Sequence, residues 1–278
     1  LTHNKYNKNL PDIQNSKDGF HNIPIHMVGI ENFKAPITFR TKDGRDFNTI
    51  SIFNAYVNLS EHSKGVNMSR FGIVVHDELK DAPLTFKLVP NILKNLKLKL
   101  KSEKAYVDFN FDILLDREAP ITKYHNFIPA NIRFKGSINE NDVMIVSMEI
   151  MLTGTSCCPC SKEISKYGAH NQRNNLKVKI ILVDDIDIVI WIEDVIDLME
   201  VSFSCPIRNV LKRADEKYQT EKMYENSKFV EDIARDCAYN IKSKYLDNKY
   251  IKWFSIKSTS EESIHHHNAS AYISSDDL

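Results

Sequence analysis

The sequence predicts an α+β fold of two tandem modules. Each runs strand, strand, helix, helix, strand, strand, with an antiparallel sheet covered by helices on one face. Three observations carry this. Ala105, Val107, Phe109, Phe111, Ile113 and Leu115 alternate strictly with Asp108, Asn110 and Asp112, the period of a half-buried strand. Paired apolar faces of helical period follow paired strand-like segments. The same order of elements then occurs a second time.

Taken in order, residues 1–20 are rich in Asn, Lys, Asp and Ser and read as a mobile tail. The first module covers residues 21–138. Residues 25–39 and 48–59 are rich in Ile, Phe, Val and Thr and flank an Asp43-Gly44 turn. Met68, Phe71, Val74, Val75 and Leu79 share one helical face, as do Leu88, Val89, Ile92, Leu93, Leu96 and Leu100. Pro90 lies inside the second pattern and predicts a kink or a late helix start. The alternating strand at 105–115 follows, with residues 122–137 as its partner. The second module covers residues 139–278. Met144, Val146, Met148, Ile150 and Leu152 alternate, and so do Leu176, Val178, Ile180 and Leu182. Trp191, Ile192, Val195, Ile196, Met199 and Phe203 form a helical face, and Phe229, Val230, Ile233, Ala234, Cys237, Ala238 and Ile241 form another. Residues 250–256 and 269–273 close the module as strands.

Composition narrows the function. The 37 basic and 37 acidic residues cancel, which argues against a nucleic-acid binder or membrane-surface protein acting through bulk charge; an anionic substrate would need a local basic cluster. No stretch reaches the roughly 18 consecutive apolar residues of a membrane span, and the first twenty residues contain no apolar core of a signal peptide. Of five cysteines, Cys157, Cys158 and Cys160 crowd together. That is a poor disulfide framework and suits metal or catalytic thiols in a cytoplasmic protein.

The run from Cys158 to Arg173 concentrates the chemistry. It holds Cys158-Pro159-Cys160, then His170, Asn171, Gln172 and Arg173. Thiolate and imidazole are the ligands zinc prefers, but one Cys-Pro-Cys and one histidine cannot close a structural site. The spacing points to a metal left open to water, as in catalysis. On an extended segment Cys158 and Cys160 would face the same way. Glu231 stands near the start of its predicted helix, where the helix dipole favours a carboxylate. Glu262 and His265 are three apart with His267 beyond, and a carboxylate-oriented histidine suits general acid–base work. In an extended chain His265 and His267 share one face and His266 takes the other.

These residues, as Cys-Pro-Cys-Ser-Lys-Glu-Ile-Ser and Gly-Ala-His-Asn-Gln-Arg, resemble the prokaryotic type IB GTP cyclohydrolase I family. Three more segments fit it in order: Lys212-Arg213-Ala214-Asp215-Glu216-Lys217, the stretch from Tyr224 to Asp232, and Glu262-Ser263-Ile264-His265-His266-His267. Gly65-Val66-Asn67-Met68-Ser69-Arg70 is a weaker match. The resemblance implies tandem tunnelling-fold (T-fold) modules whose subunits join sheets into a barrel, as a homotetramer with active sites at interfaces. It implies hydrolysis of GTP at guanine C8, formate release and closure to 7,8-dihydroneopterin triphosphate, with no organic cofactor. It implies a metal held by Cys158, His170 and Glu216. Zinc suits the set, and manganese or ferrous iron would also bind; Glu193 and Glu200 are alternative third ligands. Cys160, Glu262, His265 and His267 would act in catalysis, Glu231 would anchor the base, and Lys162, Arg173, Arg70 and Arg213 are candidates for the triphosphate.

The sequence departs from the family at Cys157, at Ala214 where proline is usual, and in the acidic run Asp184-Asp185-Ile186-Asp187. Two other functions stay open. An NADPH-dependent nitrile reductase of the same fold would use Cys160 as nucleophile without metal. A zinc-stabilised scaffold would bind its metal through four protein ligands.

Overall fold

The computed structural model describes residues 20–80, 82–183 and 189–278. Residues 1–19 of the expected tail and the acidic run at 184–187 lie outside the described residues.

Alternation decides the strands. β1 (Ile25–Arg40) and β2 (Asp46–Leu59) pair antiparallel across a turn in which Gly44 takes φ +84°, a conformation open to glycine. α1 (Ser69–Leu79) and α2 (Val89–Leu100) follow. Pro90 falls in the first turn of α2, where its missing N–H costs no hydrogen bond, so the helix starts late and does not kink. β3 (Ala105–Glu118) and β4 (His125–Ile138) form the next hairpin. In the second half come β5 (Met144–Cys157), the short α3 (Pro159–Ile164), β6 (Asn171–Leu182), α4 (Ile192–Glu200), β7 (Cys205–Pro206), α5 (Arg213–Glu225), α6 (Val230–Ile241), β8 (Ile251–Ser260) and β9 (Ala269–Ser274).

All pairings in the sheet are antiparallel, in the order β1-β2-β3-β4-β5-β6-β8-β9, with β7 attached to β5. The two halves meet where β4 pairs with β5, Phe134 opposite Met148 and Ile132 opposite Ile150. One face of the sheet is apolar and carries the helices. Phe53 packs against Phe109 with tilted rings 4.6 Å between centres, and Phe111 meets Phe134 edge-on at 5.6 Å. Ile92, Leu93 and Leu96 of α2 and Ile233, Cys237 and Ile241 of α6 are fully buried against this face. Each such aliphatic side chain stabilises the fold by roughly 1.5–3 kcal/mol. The opposite face mixes ion pairs with exposed apolar side chains: Arg133 Nε donates to Asp108 at 2.7 Å and Lys177 pairs with Glu149 at 3.1 Å, while Ile50, Ile52, Leu114, Ile145 and Met151 are exposed. The α+β layout expected from periodicity is therefore present.

The second half also contains elements that periodicity did not show. α5 has no apolar stripe; the residue it buries is Asp215. That carboxylate accepts the N–H groups of Ile121 and Thr122 at 2.9 Å, the Thr122 hydroxyl at 2.6 Å and the Lys212 N–H at 3.0 Å. It thereby closes the first turn of α5 and pins it to the β3–β4 turn. Burial alone would raise its pKa, but these donors outweigh it and hold the carboxyl well below the usual range.

Two predictions follow from this packing. A Cβ added at Gly154 would sit 2.2 Å from Cγ of Phe203, a ring with no room to retreat. Gly154→Ala should cost about 1–3 kcal/mol in urea unfolding, and an unchanged midpoint would refute the close contact. For Asp215, the folded pKa lies below the unfolded value of about 3.9. Its contribution is complete above that value and is lost as pH falls towards the folded pKa. Asp215→Asn should therefore lower the Tm by several degrees at pH 7, with the gap from wild type narrowing as the pH falls below 4. A gap independent of pH would show that the charge is not what holds α5.

Candidate active site

The site grows from the end of the β5–β6 ladder. Cys157 pairs with Asn171 as its last rung, and the Cys158 N–H then donates to the His170 carbonyl at 3.1 Å. Two metal-type donors twelve residues apart in sequence thus become neighbours across a ladder. Cys158 caps α3 in extended conformation (φ −69°, ψ 116°), with Pro159 preset as the first helical residue. Ser161 stitches the loop: its N–H points at Cys158 Sγ (3.4 Å), its hydroxyl donates to the Cys158 carbonyl (3.1 Å), and its Oγ accepts the His170 N–H (3.2 Å).

Beneath these residues the core face of the sheet turns polar. Ser156 continues the inward series Met148, Ile150 and Leu152; Gln172 and Asn174 continue that of Leu176 and Val178; Ser258 and Ser260 continue that of Phe254 and Ile256. Ser156, Asn174, Ser258 and Ser260 are at most 2% exposed, and each is hydrogen-bonded. Gln172 Nε2 donates to Ser156 Oγ at 2.8 Å, Ser156 and Ser260 share a 3.0 Å hydrogen bond, and Asn174 Nδ2 donates to Ser260 and Ser258. At the upper end of this chain, Gln172 Oε1 lies 2.9 Å from His170 Nδ1.

The walls come from two further segments. Lys228 N–H donates to the Cys157 carbonyl at 2.9 Å, its ammonium bonds the Ser202 carbonyl at 3.0 Å and Asp236 at 2.7 Å, and Asn226 Nδ2 reaches the carbonyls of Phe203 and Ser204. These anchors fix the start of α6, where Asp232 accepts the Phe229 N–H at 3.0 Å and Glu231 faces the pocket. The bend at 261–267 supplies the rest. Glu262 Oε2 lies 4.0 Å from His170 Nδ1, and the rings of His265 and His267 stack at 5.0 Å. Cys158, His170, Glu231, Glu262, His265 and His267 all line one pocket of about 310 Å³, together with Gln172, Lys228 and Phe229.

Other residues singled out from the sequence lie elsewhere. Cys160 does not share the direction of Cys158, because α3 begins between them; it is exposed and does not line the pocket. Positions two apart on a helix face nearly opposite ways. Glu216 is exposed on the first turn of α5 and does not line the pocket. Glu200 is paired with Arg208 at 2.7 Å and Arg117 at 3.0 Å, and Glu193 accepts the Lys42 N–H, so both tie α4 to the rest of the fold. Lys162 donates to the Tyr224 carbonyl at 2.7 Å, Arg70 to the Lys99 carbonyl at 2.9 Å, and Arg173 and Arg213 are exposed outside the pocket. Cys157 behaves as an apolar filler: it is buried, and burial pushes its thiol pKa up.

Gln172, Ser156, Ser260 and Lys228 have no role assigned from the sequence, although Gln172 stands in the run from Cys158 to Arg173 and Lys228 in the stretch from Tyr224 to Asp232. A signal for the first two was present, since each is a polar residue at a position where strict alternation calls for an apolar one. Among the described residues, no group of three or more His, Cys, Asp or Glu could enclose a metal. Cys158 and His170 line the same pocket, and a thiol with an imidazole fits a divalent cation with open positions rather than a closed structural site. No helix among the described residues is long and apolar enough to cross a membrane.

Comparison with known proteins gives the family. The family model for type I GTP cyclohydrolase folE2 matches residues 10–271. GTP cyclohydrolase FolE2 of Thermosipho africanus is 41% identical over 97% of this chain and 99% of its own length. The FolE2 protein of Geobacter metallireducens is 38% identical over 96% and 97%. Among solved structures, uricase from Arthrobacter globiformis aligns with a TM-score of 0.53 at 9% identity over 90% of this chain and 92% of that one. Urate oxidase from Bacillus subtilis aligns at 0.54 and 11% identity over 91% and 100%. Identities that low speak to fold alone, and the fold is the antiparallel, helix-covered T-fold. A family model spanning nearly the whole chain, and relatives matched from end to end, place this protein in the type I GTP cyclohydrolase FolE2 family.

Proposed function

We propose that this chain is a metal-dependent GTP cyclohydrolase I. It hydrolyses GTP at guanine C8, releases formate and recloses the product as 7,8-dihydroneopterin triphosphate, for folate, pterin and deazaguanine synthesis in the cytoplasm. The observation that carries this is the single pocket gathering Cys158, His170, Glu231, Glu262, His265 and His267 in a member of this family. Glu231 accepts N1–H and the exocyclic amine of guanine. Cys158 and His170 hold the cation, with Glu216 as the third donor, brought by the first turn of α5 of this chain or of a neighbouring copy. Zinc suits these donors, and manganese or ferrous iron can replace it. The bound cation supplies Lewis acidity that makes water a competent nucleophile near neutral pH. Glu262, His265 and His267 move protons at the ring nitrogen and the opened ribose.

The proposal includes two modules, divided between β4 and β5 at 138/139. It includes a homotetramer, a dimer of dimers, whose copies continue the sheet into a barrel through the edge strands β1 and β9. In that assembly Cys160, Lys162, Arg173, Arg70 and Arg213, which lie outside the pocket of one chain, meet substrate bound across interfaces.

The test is turnover of GTP by metal-free enzyme with and without added zinc, manganese or iron, read as formate and as pterin fluorescence after oxidation. Product should require metal and be indifferent to NADPH; folded enzyme that yields none with any metal sinks the proposal. Glu231→Gln replaces one of the two acceptors with a donor and should lower kcat/KM by about 10²-fold or more with the Tm unchanged. Glu216→Gln should weaken metal binding, whereas Glu262→Gln should keep the metal and lose turnover. The reverse pattern would exchange the two roles.

A further inference from the structure

We propose that Gln172 is a positioning residue. It holds His170 in the tautomer protonated at Nδ1, so that Nε2 is the nitrogen offered to the metal. The inference rests on reading His170 as a metal ligand.

Two oxygens converge on His170 Nδ1: Gln172 Oε1 at 2.9 Å and Glu262 Oε2 at 4.0 Å. An unprotonated Nδ1 would turn its lone pair towards both, whereas an N–H there donates to the nearer and is attracted by the other. The amide of Gln172 is itself oriented from below. Its Nε2 donates to Ser156 Oγ at 2.8 Å, and its Oε1 also receives the Ser263 hydroxyl at 3.5 Å, which leaves the oxygen facing the imidazole. Ser156 is held in turn by Ser260 at 3.0 Å, and Ser260 by Asn174 at 3.0 Å. Asn174 is in turn held by Ser258, whose hydroxyl lies 2.9 Å from its Nδ2 and 3.2 Å from its Oδ1. A buried polar chain of this length is expensive unless fully paired, and each member here has a partner. Nothing in the packing of the core requires it: the same inward positions one and two rungs further along hold Leu152, Leu176 and Ile256. Its effect at the pocket end is to aim one imidazole.

The test uses the full-length chain, metal-free, with ¹⁵N-labelled histidine. His170 is assigned by loss of its signals in His170→Gln. The Nδ1–H tautomer is expected in the wild type. Zn²⁺ affinity is then measured by competition with a chromophoric chelator. Gln172→Leu should lose the single tautomer and weaken Zn²⁺ by about 10–100-fold. Gln172→Glu, which keeps an oxygen facing Nδ1, should retain the tautomer and bind Zn²⁺ within a few-fold of wild type. Ser156→Ala, which removes only the anchor of the amide, should fall between them and guards against misfolding of the Leu variant. A wild-type His170 protonated at Nε2, or Zn²⁺ affinity unaltered in both Gln172→Leu and Ser156→Ala, overturns the proposal. None of these readouts needs GTP. Enzyme that shows the predicted tautomer and affinities yet never releases formate keeps this inference and rejects the cyclohydrolase reading.

Discussion

The site depends on one backbone hydrogen bond, from the Cys158 N–H to the His170 carbonyl, laid on the last rung of the β5–β6 ladder. Antiparallel register brings residues distant in sequence opposite each other. Here it does so for a thiol and an imidazole separated by a loop that contains α3. Ser161 closes that loop with contacts to both ends, so its geometry does not rely on apolar packing, and α3 buries no residue. The rest of the pocket is built outward from this point: Lys228 hangs on the carbonyl of Cys157, and α6 starts two residues later.

The second constraint is the change in character of one sheet face. Over most of its length the helix-covered face is aliphatic and aromatic; at the site end it becomes Ser156, Gln172, Asn174, Ser258 and Ser260. Buried hydroxyl and amide groups cost free energy unless paired. These are paired to one another across three adjacent strands, β5, β6 and β8. Phe203 marks the border, packed into the space left by the missing side chain of Gly154. The same strands thus serve as core at one end and as the floor of the active site at the other.

Much of this was legible in the sequence for physical reasons. Period-two alternation located β3, β5 and β6, because one face of each is buried and the other solvated, and Ile, Phe, Val and Thr content around the Asp43-Gly44 turn located β1 and β2. Helical periodicity located α1, α2, α4 and α6, which bury apolar stripes. It could not find α5, whose buried residue is Asp215, a carboxylate fixed by hydrogen bonds from the first half. It did not find α3, six residues with no buried face. The hidden α3 is also why Cys160 was expected beside Cys158: the residue-two-apart rule holds for an extended chain, and the chain turns helical at Pro159. His265 and His267 do face one pocket, though on a bend rather than a strand. The convergence of Glu231 from the start of α6 with Cys158 and His170 from β5 and β6 is a tertiary fact that no local pattern encodes.

The most direct test of the account is where a metal sits. Crystals of zinc-loaded enzyme, examined by anomalous diffraction at the zinc edge, should show one ion bonded to Cys158 Sγ at about 2.3 Å and to His170 Nε2 at about 2.0–2.1 Å, with Gln172 still on Nδ1. An ion ligated through His170 Nδ1, or bound away from Cys158, would contradict the claim that the β5–β6 ladder and its polar floor exist to aim these two donors at one point.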